Sequence, residues 1–241
     1  MERIEPYSIQ PWAPRLQADT TREEKDKQAL IDTLQGIIIA TSASARNGKA
    51  GAGGAIIDTE NGATTHRYVT YSRMLGPRKE QNPYTAELSA ISQALRCLPD
   101  QIQGRNIYII TRGLSAVQGL MQPKQQSGQT DMKAIYQAAE KLLQRGNHIQ
   151  VIWLPTKVMS QQQMVAKNVV RDPTRQEAPL KPSPYQVRST TTRRAIEAMK
   201  KSHTLPRKVG DFTTKLDRAL PGKHTKKLYD SLKKTEVKIL I

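Results

Sequence analysis

Hydrophobic residues between positions 36 and 154 recur with two different periods, and these periods predict an alternation of strands and helices. The apolar run 36–41 precedes the turn signal Asn47-Gly48, and a second apolar run covers residues 55–57. A third strand is predicted over 64–71. Because short apolar segments separated by turn residues form hairpins, this first part predicts a meander of three paired strands.

The second part of the same region changes to a helical period. Apolar residues at three- and four-residue steps predict a helix over 85–98. A buried strand is predicted over 107–111, a further helix ends at Gly146, and the last strand covers 148–154. Strands in this order, with helices between the later ones, predict an α/β fold in which helices cover the faces of a mixed sheet.

Short motifs within these elements resemble one known family. Thr41-Ser42-Ala43-Ser44 stands where that family has Thr-Asp-Gly-Ser, and Tyr84-Thr85-Ala86-Glu87-Leu88 matches its Ala-Glu-Leu helix start. Ile110-Thr111-Arg112-Gly113 replaces Thr-Asp-Ser, and Trp153-Leu154-Pro155-Thr156-Lys157 replaces Trp-Ile-Pro-Gly-His. On these motifs the chain resembles the ribonuclease H domain of fungal non-LTR retrotransposon polyproteins.

The resemblance extends over almost the whole chain, because residues 4–12 and 224–229 are similar to the segments on either side of that domain. It implies a ribonuclease-H-like mixed five-stranded sheet with helices on both faces. We therefore predict an N-terminal arm and helix over 1–35, a ribonuclease-H-like domain over 36–171, and a basic linker with a helical extension over 172–241.

The resemblance also implies a catalytic site that this chain has lost. In the family, four carboxylates hold two divalent cations about 3.5–4 Å apart, which cleave a phosphodiester. The matching positions are Ser42, Glu87, Arg112 and Lys167, so only one acid remains, and a histidine used near product release falls on Lys157. Three lost acids and two gained cations change the charge by about five units, which repels metal. We predict a pseudoenzyme without metal or cofactor.

The remaining acid has several possible roles. Glu87 falls in the first predicted turn of its helix, where it can act as a cap or complement the helix dipole. It can also pair with Arg112 or Lys167. A shifted alignment that recruits Asp58 or Asp131 is the alternative for an active site, and their loop-like surroundings argue against it. We favour a structural role for Glu87.

Positive charge is concentrated towards the C-terminal end. The formal net charge is +17, and residues 171–241 hold 18 Lys and Arg against 7 Asp and Glu. Such a segment suits a phosphate backbone, and a solvated tail is the alternative. The candidate nucleic-acid contacts are Arg193, Arg194, Lys200, Lys201, Arg207, Lys208, Lys226 and Lys227.

Both ends contain candidate partner-binding residues. Prolines keep the first stretch extended and leave Trp12 available as an anchor. The final predicted helix places Leu228, Leu232 and Ile239 within a narrow arc. We expect residues 36–170 to form a compact core with mobile ends that become ordered on a larger body.

The sequence does not indicate a membrane protein or a fold held by disulfides. No apolar run approaches 18 residues and no signal-peptide pattern is present, which predicts a protein without membrane partners. A single cysteine, Cys97, excludes an internal disulfide and is predicted to be a small core residue.

The predicted function follows from charge and from the resemblance. We expect a domesticated, non-catalytic structural subunit that binds RNA and protein in a nuclear ribonucleoprotein. Structured ribosomal or other nuclear RNA is the expected ligand, a ribosome precursor is the first particle to test, and the nucleolus is one candidate compartment within the nucleus. The alternatives are an active RNA–DNA hybrid ribonuclease with an atypical metal site, and a protein-only interaction adaptor.

Overall fold

A computed structural model describes residues 4–21, 24–60, 68–158 and 160–172. None of the helices in this part of the chain is long and apolar enough to cross a membrane. Its strands are β1 Gln17–Asp19, β2 Ile37–Arg46, β3 Lys49–Asp58, β4 Val69–Pro77, β5 Asn106–Thr111 and β6 His148–Trp153. Its helices are α1 Glu24–Thr33, α2 Pro83–Cys97, α3 Leu114–Met121, α4 Gln129–Gln144 and α5 Gln161–Arg171.

The six strands form one mixed sheet in the order β1-β6-β5-β2-β3-β4. Strands β2, β3 and β4 are antiparallel neighbours, whereas β5, β6 and β1 run parallel to β2. The β2–β3 turn has positive φ angles at Asn47 (49°) and Gly48 (71°), which suits the Asn-Gly pair. The predicted meander and the ribonuclease-H-like α/β fold are confirmed by this topology.

Helices cover both faces of the sheet because β2 is apolar on both sides. Ile37 and Ile39 face a core that includes residues of α2, α3 and α4. Ile38 packs with Ile31 of α1 on the opposite face. Further along that face, Ala166 of α5 packs against small residues of β2 and β3. The small side chains let α5 lie directly over the end of β2.

A sixth strand corrects the predicted count of five. Gln17 to Asp19 pair in parallel with Gln150 to Ile152 of β6. Leu16, just before this strand, is 7% exposed and belongs to the main core. The described part of the arm is therefore an edge of the sheet.

Polar contacts fix the arm in place as well. The backbone N–H of Glu5 donates to Oε1 of Gln129 at 2.7 Å, and Nε2 of Gln129 donates to the Glu5 carbonyl at 2.8 Å. Lys27 of α1 is 1% exposed and its Nζ lies 2.5 Å from Oδ2 of Asp19. We expected a mobile N-terminal arm; in the structure, backbone and charged contacts join residues 4–21 to the sheet and to α1 and α4.

The end of α2 corrects a smaller prediction. Cys97 is the last residue of this helix and is exposed, so it is not a core residue. The apolar face of the helix passes through Leu88, Ile91 and Leu95, and Cys97 lies off that face.

Candidate nucleic-acid site at the strand ends

A cavity of about 420 Å³ opens where β2 and β5 end beside α2 and α5. Its size falls within the range of about 300–1,000 Å³ typical of ligand sites. We call it the strand-end pocket. It is lined by Thr41, Ser42, Ala43, Ser44, Arg46, Glu87, Arg112, Gln163, Met164, Lys167, Val170 and Arg171.

Two rows of polar side chains form opposite walls of this pocket. Alternate residues of a strand share one face, and helix residues four apart share one face. On β2 the row follows the two-residue period, and on α5 it follows the four-residue period. The rows are Ser42, Ser44 and Arg46 on β2, and Gln163, Lys167 and Arg171 on α5.

The structure brings together four of the five predicted site positions, Ser42, Glu87, Arg112 and Lys167. Lys157 is not among the lining residues. Its side chain is 82% exposed, and its Nζ lies 3.6 Å from Oε1 of Glu24 in α1. The residue aligned with the family's histidine is therefore engaged by a different helix.

Glu87 lines the pocket, and three hydrogen bonds surround its carboxylate. Oε2 accepts from the hydroxyls of Thr111 at 2.9 Å and Thr41 at 3.2 Å. Oε1 accepts from the backbone N–H of Ala43 at 3.1 Å. Glu87 thereby joins α2 to the last residue of β5 and to the middle of β2, and this arrangement supports a structural role.

Burial controls the ionisation of this carboxylate. Loss of solvent around Glu87 raises its pKa above the ordinary value of 4.5, while the hydrogen bonds from Thr111, Thr41 and Ala43 oppose the rise. The direction of the shift means that the environment favours the neutral form.

The start of α2 excludes a capping role for Glu87. The helix begins at Pro83, so Glu87 lies beyond its first turn. Asn82 is the cap: its Oδ1 accepts from the N–H of Thr85 at 2.8 Å, and the side chain of Thr85 completes the capping box. Capping was one possible role for Glu87, and the structure excludes it because Asn82 occupies that position.

The possible ion pairs of Glu87 with Arg112 or Lys167 do not form. Arg112 donates from Nη2 to the carbonyl oxygen of Val158 at 3.0 Å. Lys167 is exposed on α5. Among the described residues, no ion pair joins either cation to Glu87, whose oxygens are engaged by hydroxyl and amide donors.

Several residues of the site were not identified from the sequence. Buried Gln163 donates from Nε2 to the Ile110 carbonyl at 2.8 Å and so fixes the first turn of α5 on β5. Thr41 and Thr111 each precede a predicted position by one residue, a spacing that places them on the opposite face of their strands. The four-residue repeat of Gln163, Lys167 and Arg171 was a usable signal for the α5 wall.

The donor set does not fit a pair of divalent cations. Magnesium requires several hard oxygen ligands, whereas this pocket offers one buried carboxylate that already accepts three hydrogen bonds. Within the described residues, no group of three or more His, Cys, Asp and Glu side chains could hold a metal ion. Cationic side chains line the pocket in addition.

The alternative acids do not complete the site. Asp58 is paired across the sheet with Ile37, at the opposite end of β2 from Ser42, and binds Arg105 through a 2.5 Å ion pair. Asp131 is buried in the first turn of α4. Neither residue lines the strand-end pocket.

The remaining predicted contacts divide between the two ends. Trp12 is 82% exposed, as an anchor for a partner would be. The basic candidates Arg193, Arg194, Lys200, Lys201, Arg207, Lys208, Lys226 and Lys227, and the apolar candidates Leu228, Leu232 and Ile239, lie outside the described residues.

No protein-family model matches the chain, and no curated protein matches it. Among solved structures, the chain is similar to the N-terminal RNase H domain of Rv2228c from Mycobacterium tuberculosis, determined as a fusion with maltose-binding protein. The TM-score is 0.43 with 16% sequence identity, and the match covers 58% of this chain and 93% of that chain. The strand order of the sheet is the basis for describing the fold as ribonuclease-H-like.

Proposed function

We propose that this chain is a non-catalytic ribonuclease-H-like protein that binds RNA. One observation carries the proposal: the strand-end pocket contains Arg112 and Lys167 at positions where the resemblance implies metal-binding acids, with Arg46 and Arg171 beside them. Among the described residues that line the pocket, the one carboxylate is buried and engaged by three donors. This surface suits phosphate oxygens better than metal ions.

The overall charge supports the same ligand. The chain has a net charge of +17, and residues 1–170 alone hold 20 Lys and Arg against 14 Asp and Glu. Lys and Arg that neutralise phosphates release counterions, which provides sequence-independent affinity that weakens with salt. A basic chain with this fold is therefore suited to a polyanion.

The finer part of the proposal concerns the setting. We place the protein in a nuclear ribonucleoprotein as a structural subunit descended from a retrotransposon polyprotein, with ribosome precursors as the first assembly to test. The support is the sequence resemblance together with the positive charge. Tagged purification with and without nuclease, followed by identification of RNAs and proteins, tests this setting. Nuclease-resistant association with proteins alone would contradict it.

A cleavage assay tests the absence of catalysis. The purified chain is incubated with a labelled RNA–DNA hybrid in magnesium or manganese, beside an active ribonuclease H. We expect no cleavage above a protein-free control, because the pocket lacks the acids that position metal ions. Magnesium-dependent cleavage that disappears in Glu87→Gln would contradict the proposal.

A binding assay tests the RNA ligand. Fluorescence anisotropy of a labelled RNA is measured at several salt concentrations. We expect affinity to fall linearly on logarithmic axes as salt rises. The absence of any RNA binding at low salt would overturn the proposed function.

A protein-only adaptor is the second candidate, and the exposed arm favours it. Trp12 is 82% exposed and Tyr7 is 62% exposed on a segment held firmly against the core. Large aromatic residues are common anchors of protein interfaces. Loss of partner proteins in Trp12→Ala, combined with no RNA binding by the unmodified chain, would favour this function.

A further inference from the structure

The strand-end pocket has an unbalanced set of charges. Arg46, Arg112 and Lys167 line it, and Glu87 is the one acidic side chain among the described residues of its lining. Glu87 is buried and accepts three hydrogen bonds, so it is not a counterion at the pocket surface. Arg46 and Lys167 are exposed, so both can reach a ligand. A concave, positively charged surface attracts anions.

Neutral donors add to this surface. Ser42 and Ser44 line the β2 wall, and a hydroxyl can donate to an anionic oxygen. Arg112 also lines the pocket while its Nη2 donates to the Val158 carbonyl, which holds the guanidinium in place. Charge and hydroxyl donors therefore indicate the same chemical class of ligand.

We infer that the strand-end pocket binds a phosphate group directly, without a metal ion, through the cations that stand in place of the metal ligands. Charge-assisted hydrogen bonds from Arg and Lys to phosphate oxygens need no bridging cation. The inference deepens the proposed function by naming a backbone phosphate as the group that enters this pocket. A free phosphate or a phosphorylated small molecule offers the same chemistry, and the test distinguishes these sources.

The first arm uses inorganic phosphate as the probe. Backbone amide NMR spectra of the full chain are recorded during titration with sodium phosphate in EDTA, and with sodium chloride at equal ionic strength. We expect saturable shifts in residues 42–46 and in α5 with phosphate only. The double variant Arg46→Gln/Lys167→Gln should lose these shifts, and both positions are exposed, so the fold is retained.

The second arm measures RNA affinity against salt for the same variant. The matched control, Arg96→Gln/Lys141→Gln, removes two exposed helical cations that do not line the pocket. We expect the pocket variant to weaken RNA binding at least about tenfold and to lower the salt slope by about 1.4–1.8, since each phosphate contact contributes about 0.7–0.9. The RNA affinity of the control variant should stay within about threefold of that of the unmodified chain, if affinity depends only on the number of phosphate contacts.

The outcomes separate the site from the proposed function. The absence of saturable phosphate shifts at residues 42–46, or their persistence in the pocket variant, overturns the inference. Phosphate shifts without a selective loss of RNA affinity support the site and assign it to free phosphate or a small phosphorylated ligand. No RNA binding by the unmodified chain overturns the proposed function, while the phosphate arm still decides whether the pocket binds an anion.

Discussion

Two carboxylates in this molecule face opposite environments. Asp19, at the sheet edge, lies 2.5 Å from the ammonium group of Lys27, which is 1% exposed. Glu87, at the strand ends, is buried with only hydroxyl and amide donors around it. Partial burial raises the pKa of Asp19, but hydrogen bonds from Lys27 and Thr21 and the charge of Lys27 outweigh it, so the net shift is downward. The pKa of Glu87 moves upward.

The difference shows that cations can line the same pocket as a buried acid without forming an ion pair with it. Arg112 and Lys167 share the strand-end pocket with Glu87, yet neither forms an ion pair with it. The acid accepts from residues of β2 and β5, Arg112 donates to the Val158 carbonyl, and Lys167 is exposed at the pocket. At the sheet edge an ion pair stabilises the fold, whereas at the strand-end pocket the cations are not paired with the buried acid.

Breaking the Asp19–Lys27 pair should have the largest effect. Asp19→Asn leaves a buried ammonium group without its counterion, so we expect the free energy of unfolding to fall by about 3–5 kcal/mol. Lys27→Met should cost less, because the side chain of Asp19 is 22% exposed and can be solvated. Urea denaturation at pH 7 measures both values. Equal losses in the two variants would contradict this asymmetry.

Removing the Glu87 carboxylate should have the next largest effect. Glu87→Ala leaves two hydroxyls and one backbone N–H without their acceptor and opens a cavity, for which we expect a loss of about 2–4 kcal/mol. Glu87→Gln retains the shape, and the rotatable hydroxyls of Thr41 and Thr111 can accept from its amide, so it should change stability by less than about 1 kcal/mol. A large loss in both variants would mean that the negative charge itself is required.

Arg112→Ala should have a smaller effect than an ion-pair cluster would require. The side chain makes a hydrogen bond to Val158 that tethers the loop before α5. We expect a loss of about 1.5–2 kcal/mol, the lower part of the range for a hydrogen bond from a charged group. Thermal and chemical denaturation provide the measurement. A loss of about 4 kcal/mol would restore a buried ion pair as the explanation.

The smallest effect is a difference in pH dependence. Because burial raises the pKa of Glu87, the stability linked to it is fully present below pH 4.5 and is lost as pH rises through the folded-state pKa. Asp19 has the opposite sign, since its contribution is present above pH 3.8 and is lost as pH falls through its lowered pKa. The stability of the unmodified chain relative to Glu87→Gln should therefore decline as pH rises above 4.5. If the stability difference between the unmodified chain and Glu87→Gln did not depend on pH, the pKa of Glu87 would not be shifted.

The sequence was sufficient for the elements whose apolar residues recur in a regular pattern. The strands around Ile38, Ile109 and Val151, and the helix through Leu88 and Ile91, appear in the predicted order because each is buried along a full face. The sequence was insufficient for β1. Gln17, Ala18 and Asp19 lack an apolar alternation, and their pairing depends on an edge that β6 presents.

The candidate site was predictable in its positions and not in its contacts. The resemblance to the ribonuclease H domain pointed to Ser42, Glu87, Arg112 and Lys167, and the structure places all four at one pocket. Which partner satisfies Glu87 depends on distances across three elements, which spacing along the chain does not determine. The hydroxyls of Thr41 and Thr111 bind the Glu87 carboxylate in place of a cation, and an argument from formal charge alone does not consider them.

The parallel pairing of β1 with β6 has a consequence for the order of assembly during synthesis. Glu5 contacts Gln129, which lies 124 residues later in the chain, and Gln17 of β1 pairs with Gln150 of β6. At roughly 5–20 residues per second, the arm leaves the ribosome on the order of ten seconds before β6 exists. An exposed strand edge is a template for wrong pairing until its neighbour arrives. Strand β1 is thus made before the other five described strands, but it can pair only after β6 has been made, when it covers one edge of the sheet.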